Sequence, residues 1–305
     1  MSLGLLFTGQ GAQHAAMLPW LDDSRDLVQQ TMAALGVAEW RHALLDAAWG
    51  ATNRNAQVLL TGLGLAAWSQ LRGSGLPDPA AVAGYSVGEL AAFSCAGVFE
   101  AATAIDLAAR RAQAMDRAAE HAPGGLLAIT GLDALALAAW WGERGCAIAI
   151  RIAADSVVVG GPPSALQAIQ EHAQARGAKC SPLNVAVASH TPAMQPAAAD
   201  FAQILQATAL RPPATALFSN ATADRVFTAA QAAGALAAQI AQTVQWSGCL
   251  DALYARRLSC VLEIGPGSAL AAMWNKRYPD VPARSVDEFR SERSVQEWVS
   301  ARVLA

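Results

Sequence analysis

The chain of 305 residues is 54% apolar and 15% charged, with 21 lysines and arginines against 24 aspartates and glutamates for a formal net charge of −3. That apolar share is ample for a buried core, and the acidic balance without a long basic tract excludes nucleic acid as an expected partner. The five scattered cysteines (Cys95, Cys146, Cys180, Cys249 and Cys260) never form a CxxC pair, which excludes a disulfide framework and a zinc site and points to a reducing, cytoplasmic setting. The N-terminal MSLGLLFTGQG has no basic region before its short apolar stretch, so it reads as a first strand rather than a signal peptide. No later run approaches the ~18 uninterrupted apolar residues of a membrane span.

In chain order, a strand at LGLLFTG (3–9) is followed by helices near 24–36 and 55–72, a strand at AAVAGYS (80–86), a helix from 87 and a longer one over 99–122. This alternation predicts an α/β fold with mostly parallel strands. At PGG (123–125) the rhythm changes to βαββαβ: LLAITG, the helix DALALAAWWGERG, the strands CAIAIRIA and SVVVGG, the helix PSALQAIQEHAQARG and the strand AKCSPLNVAV. That order is the ferredoxin-like motif. The larger pattern then resumes with a helix near 192–208, TALFSN (215–220), helices near 230–257, SCVLEIG (259–265), another helix and a short SV-containing strand. The expected organisation is a large α/β-hydrolase-like core over 1–123 and 189–305, with a small ferredoxin-like domain, 124–188, inserted into it. A cleft is expected where the two meet. No amphipathic stretch stands out as a surplus interface, so a monomer is expected.

GYSVGE (84–89) sets Ser86 between two glycines on a strand-to-helix turn, a pattern that fits either a nucleophile elbow or a serine capping the next helix. A nucleophilic serine needs a base. Of the five histidines, His190 in VAVASHTPAM is the candidate, read as standing at the end of an apolar strand just before a proline-marked helix; the alternative is a histidine capping that helix. No acid between Ser86 and His190 falls at the end of a large-domain strand, and 115 residues follow His190, which argues for a two-residue Ser–His site rather than an α/β-hydrolase triad. FTGQGAQ (7–13) reads either as a source of backbone N–H groups facing Ser86 or as a phosphate loop, although it matches neither GxxxxGK[ST] nor GxGxxG. Arg110 and Arg111 read, on their residues alone, as a solvated helix face.

Taken together, FTGQGAQ, GYSVGE, RAQAM (111–115), ASHTPAM (188–194), Gln245-Trp246 and LEIGPGSAL (262–270) resemble, in order, landmarks of the malonyl-CoA:acyl carrier protein transacylases and the related acyltransferase domains of polyketide synthases. The resemblance implies an acyltransferase that moves a malonyl group from malonyl-CoA to the phosphopantetheine-type thiol of an acyl carrier protein. It implies Ser86 as nucleophile and His190 as base, with the backbone N–H groups of Gln10 and Val87 as oxyanion hole. It further implies Arg111 as the partner of the malonyl carboxylate and the main-chain carbonyl of Gln245 as the group that orients His190. Tyr85 stands where the family usually has histidine, beside the acyl pocket, and Thr8 stands where it has proline. No cofactor or metal is implied beyond malonyl-CoA as substrate. Within the same chemistry the resemblance leaves open a dedicated transferase of a polyketide synthase or malonate decarboxylase system, and an acyl-thioester hydrolase with the same Ser–His pair.

Overall fold

Strands β1 (Leu3–Phe7) and β9 (Cys260–Ile264) are buried at every position, as expected of parallel strands covered on both faces. They lie at the centre of a six-stranded sheet with β2 (Ala81–Gly84), β7 (Ala216–Phe218), β8 (Arg225–Val226) and β10 (Ala283–Ser285), in the order β10-β9-β1-β2-β7-β8. Every pairing is parallel except that of β7 with β8. The structure, a computed structural model, describes residues 2–303. Alternate side chains of β1 serve opposite faces. Leu5 and Phe7 join the core beneath helices Asn53–Gly73 and Ala101–His121, whereas Leu6 joins Trp246, Trp274 and Phe218 on the other face.

A second sheet is antiparallel, with β3 (Gly125–Thr130), β4 (Ala147–Ala153), β5 (Ser156–Gly161) and β6 (Lys179–Pro182) in the order β4-β5-β3-β6. Helices Ala134–Gly142 and Pro163–Gln174 complete a βαββαβ succession. The chain is thus mixed α/β, a mostly parallel sheet accompanied by a smaller antiparallel one. The free edge of β4 meets the segment that follows helix Ala229–Ala241. Val244 N–H donates to the Ala149 carbonyl at 2.9 Å, Arg151 N–H to the Val244 carbonyl at 2.9 Å, and Thr243 Oγ1 to the Ile148 carbonyl at 2.6 Å. Backbone bonds of this kind fix the small sheet against the segment that leads into Gln245.

Three differences from the sequence reading have physical causes. The strand expected to run to Val187 stops at Pro182; Leu183 N–H still donates to the Leu126 carbonyl of β3 at 2.9 Å, but the chain then turns, with Val185 N–H donating to the Leu183 carbonyl at 2.8 Å, and Val187 and Ala188 bury their side chains without strand pairing. His190 therefore follows an irregular segment, not a strand end. The sequence reading contains no C-terminal helix, whereas Glu292–Val303 is one; it buries Val295 and Val299, with Trp298 and Val303 partly buried beside them, between charged residues that narrow its apolar stripe. Among the described residues, no helix is long and apolar enough to cross a membrane.

Candidate active site

β2 ends at Gly84 and the next helix begins at Gly88, so the chain reverses within Tyr85, Ser86 and Val87. A Cβ on Gly84 would lie 2.2 Å from the Gly88 carbonyl, and one on Gly88 would lie 2.3 Å from the Phe7 carbonyl oxygen. Neither position admits a side chain, which explains why the serine is flanked by glycines. Ser86 itself adopts φ +54°, in the left-handed region that costs an L-residue about 1–2 kcal/mol. Such strain at a strand-to-helix turn holds Oγ out of the backbone's own hydrogen-bonding reach, and Ser86 remains partly exposed, as does Tyr85, while Gly84, Val87 and Gly88 are buried.

The turn is clamped from behind. Asn220 N–H donates to Glu89 Oε1 at 2.7 Å, Asn220 Nδ2 donates to the Gly84 carbonyl at 2.9 Å, and Gln245 N–H donates to the Asn220 carbonyl at 2.7 Å. Glu89 has no solvent exposure, and burial pushes its carboxyl up to about 8, so it is protonated at neutral pH.

His190 Nε2 lies 2.8 Å from Ser86 Oγ. Its Nδ1 faces the main-chain carbonyl of Gln239, and its own backbone N–H donates to the Ile240 carbonyl at 2.8 Å. Both carbonyls belong to the last turn of helix Ala229–Ala241, where they have no partner within the helix and carry the negative end of its dipole. A carbonyl only accepts, so Nδ1 carries the ring proton and Nε2 is left free to accept one from Ser86. Burial, with a further contribution from the Arg111 charge, holds the His190 imidazole down at about 3, which keeps it neutral and basic-form at rest. The sequence-based assignment of this orienting role to Gln245 is corrected: the Gln245 carbonyl accepts from Cys249 N–H at 3.0 Å and opens helix Trp246–Tyr254. Its place at His190 is taken by Gln239, six residues earlier, because the helix end rather than the loop after it reaches the imidazole.

Arg111, expected from its residues alone on a solvated face, is fully buried on helix Ala101–His121. Nη1 donates to Gln57 Oε1 at 2.6 Å and Nη2 to Gln239 Oε1 at 3.0 Å, while buried Nε has no partner. Burial pulls the guanidinium down to about 10, still charged at neutral pH. Gln239 also donates from Nε2 to the Ser86 carbonyl at 3.3 Å. One residue thus touches the elbow, the imidazole and the arginine.

The loop after β1 lies against the elbow: a Cβ on Gly9 would sit 2.8 Å from the Tyr85 carbonyl oxygen. Tyr85 N–H donates to the Phe7 carbonyl at 2.9 Å, and the Tyr85 ring meets Trp246 edge-on at 5.0 Å between centroids. Burial raises its phenol above the usual range. The backbone N–H groups of Gln10 and Val87 have no hydrogen-bond partner among the described residues. Among the same residues, no group of three or more His, Cys, Asp or Glu is placed to hold a metal ion.

Sequence reading missed Gln57, Gln239, Glu89 and Asn220. All four are polar residues without solvent exposure, and Gln239 interrupts the apolar helical run ALAAQIA, a local signal that could have exposed it, whereas Gln57 follows the polar Asn53-Arg54-Asn55 and carries no such signal.

Comparison with known proteins gives one consistent result. The acyl transferase domain family matches residues 5–300. The malonyl CoA-acyl carrier protein transacylase of Mycobacterium tuberculosis is 33% identical over 297 residues, covering 93% of this chain and 96% of that protein. Among solved structures, FabD of Acinetobacter baumannii superposes with a TM-score of 0.89 at 30% identity, covering 99% of this chain and 98% of the other. A malonyl-transacylase solved in complex with a type II PKS acyl-carrier protein superposes with a TM-score of 0.85 at 26% identity, covering 97% and 99%.

Proposed function

Because the chain belongs to the acyl transferase domain family, and is an acyltransferase on that footing, we propose that it carries a malonyl group from malonyl-CoA to the phosphopantetheine-type thiol of an acyl carrier protein through a malonyl-Ser86 intermediate. The relatives named above, malonyl CoA-acyl carrier protein transacylases, support the substrate pair. The observation that carries the chemistry is the 2.8 Å contact of Ser86 Oγ with an imidazole whose other nitrogen is occupied by a carbonyl.

In the first half-reaction His190 Nε2 takes the Ser86 proton as Oγ bonds to the thioester carbon. The free N–H groups of Val87, at the helix start, and Gln10 receive the developing oxyanion. Collapse of the tetrahedral intermediate breaks the C–S bond, and CoA leaves with the proton from His190. The carrier thiol then gives its proton to His190, attacks the malonyl ester and restores Ser86 by the reverse sequence. The imidazolium formed midway faces the negative end of helix Ala229–Ala241, which does the work of a triad carboxylate. Arg111 receives the free malonyl carboxylate, since a charged guanidinium with an unpartnered N–H is matched by a carboxylate acceptor. Tyr85 borders the acyl group beside Trp246. The protein acts in the cytoplasm and needs no bound cofactor.

The test is to incubate the protein with malonyl-CoA and a carrier protein bearing its phosphopantetheine thiol, following malonyl-carrier and free malonate by mass spectrometry. Malonyl-carrier as the main product is expected. Free malonate accumulating at the same rate with or without the carrier would overturn transfer in favour of hydrolysis.

A further inference from the structure

Gln57 sits without solvent exposure in the first turns of helix Asn53–Gly73 and belongs to neither the elbow nor the histidine loop, yet it presents its amide oxygen, not its nitrogen, to Arg111. Which end of an amide faces a partner is fixed by what the other end meets. Here Asn53 Nδ2 donates to Asp116 Oδ1 at 2.8 Å and to the Ala112 carbonyl at 3.4 Å. Asn53 Oδ1 in turn accepts from Gln57 Nε2 at 2.7 Å, and Gln57 Oε1 accepts from Arg111 Nη1 at 2.6 Å. The second N–H of Gln57 points at Met115 Sδ, 3.6 Å away, so a flipped amide would set its oxygen against Asn53 Oδ1 and a sulfur. The half-buried Asp116 carboxylate thereby dictates, through two amides, that a neutral oxygen faces the guanidinium.

Arg111 makes no ion pair among the described residues; its acceptors are two amide oxygens, from Gln57 and Gln239. Buried arginines ordinarily meet carboxylates, which cancel their charge. Glu89, the acid whose charge reaches Arg111, makes no hydrogen bond or ion pair with the guanidinium among the described residues, and burial pushes its carboxyl up to about 8. We propose that the Asp116–Asn53–Gln57 relay is a specificity-determining positioning device: it holds Arg111 through a neutral acceptor so that the guanidinium charge stays available to an acyl group bearing a free carboxylate. The inference rests on the role given to Arg111 above. Satisfying the N–H groups with amides fixes the fork in place without occupying it electrostatically, whereas a carboxylate at position 57 would bind the fork and repel the substrate's own carboxylate.

The experiment compares the rates at which malonyl-CoA and acetyl-CoA acylate Ser86, by rapid quench and intact mass, in the parent protein, Arg111→Ala, Gln57→Glu and Gln57→Met. A like charge beside the substrate carboxylate is expected to lower the malonyl-to-acetyl ratio roughly tenfold or more in Gln57→Glu. Gln57→Met, neutral but without the amide oxygen that holds Nη1, is expected to lower the ratio by less than Gln57→Glu does, because it loosens the fork without adding a like charge. An unchanged ratio in Gln57→Glu, or an equal loss in both variants, would overturn the relay. Loss of the ratio in Arg111→Ala alongside retention in Gln57→Glu would refute the relay alone; retention in Arg111→Ala would instead refute the role of Arg111. Should Gln57→Glu fail to fold, Gln239→Glu presents a carboxylate to Nη2; because it also removes the donor to the Ser86 carbonyl, both rates fall and only their ratio is read. Collapse of both would also overturn the proposal, because an unneutralised guanidinium should welcome a carboxylate.

Discussion

Replacing Glu89 by glutamine tests whether the elbow is held by a protonated carboxyl. Glu89 has no solvent exposure, and burial lifts its carboxyl from the usual 4.5 to about 8. Below pH 4.5 the group is protonated both folded and unfolded, and the fold keeps its full stability. As pH rises from 4.5 to 8 the unfolded chain ionises while the folded one does not, so stability is progressively lost; at about 1.4 kcal/mol per tenfold, the loss reaches on the order of 5 kcal/mol by pH 8. Glutamine keeps an oxygen for Asn220 N–H and cannot ionise. The variant should therefore gain on the parent protein by roughly 4 kcal/mol between pH 5 and pH 8, whatever its starting offset. Urea unfolding of both proteins at the two pH values measures this double difference. Groups such as Glu263, raised to about 7 by burial, and His190, lowered to about 3, are present in both proteins and cancel. A difference that stays constant within about 1 kcal/mol across the window would refute the reasoning, showing Glu89 ionised in place.

Two further outcomes follow from the same geometry. Ser86 has φ +54°, so Ser86→Gly should be more stable than Ser86→Ala by about 0.5–1 kcal/mol, the reverse of the ordinary order, because the left-handed cost exceeds the entropic penalty of glycine; urea unfolding with alanine ahead would contradict a strained elbow. Since His190 is held near 3 by burial and by the Arg111 charge, the first-turnover release of CoA should be flat between pH 5.5 and 7. A limb centred near 6.5 in stopped-flow measurements would mean that the imidazole is not shielded.

Much of the site was legible because its requirements are local. The elbow needs two positions without side chains, and GYSVGE states that directly in Gly84 and Gly88. The six-stranded sheet was legible for a similar reason, since β1, β2 and β9 are short runs between helical patterns, apolar throughout in β1 and β2 and apart from Glu263 in β9. The group that orients His190 was not legible from the residues, because a main-chain carbonyl belongs to every residue and only the end of helix Ala229–Ala241 decides which one is free. Arg111 was misplaced on solvent when read alone because its partners, Gln57 and Gln239, lie 54 and 128 positions away. The strand expected before His190 failed for a subtler reason: Val187 and Ala188 supply burial, yet the chain turns away from the sheet at Leu183–Val185 and has no further ladder to join.

The most direct measurement is to mix the protein with malonyl-CoA in the absence of any acceptor, record the intact mass after a rapid quench, and map the modified peptide. One malonyl group per chain, located on Ser86 and missing from Ser86→Ala, is the predicted result. A malonyl group on another residue, or turnover of malonyl-CoA that persists in Ser86→Ala, would contradict the assignment of Ser86 as the nucleophile.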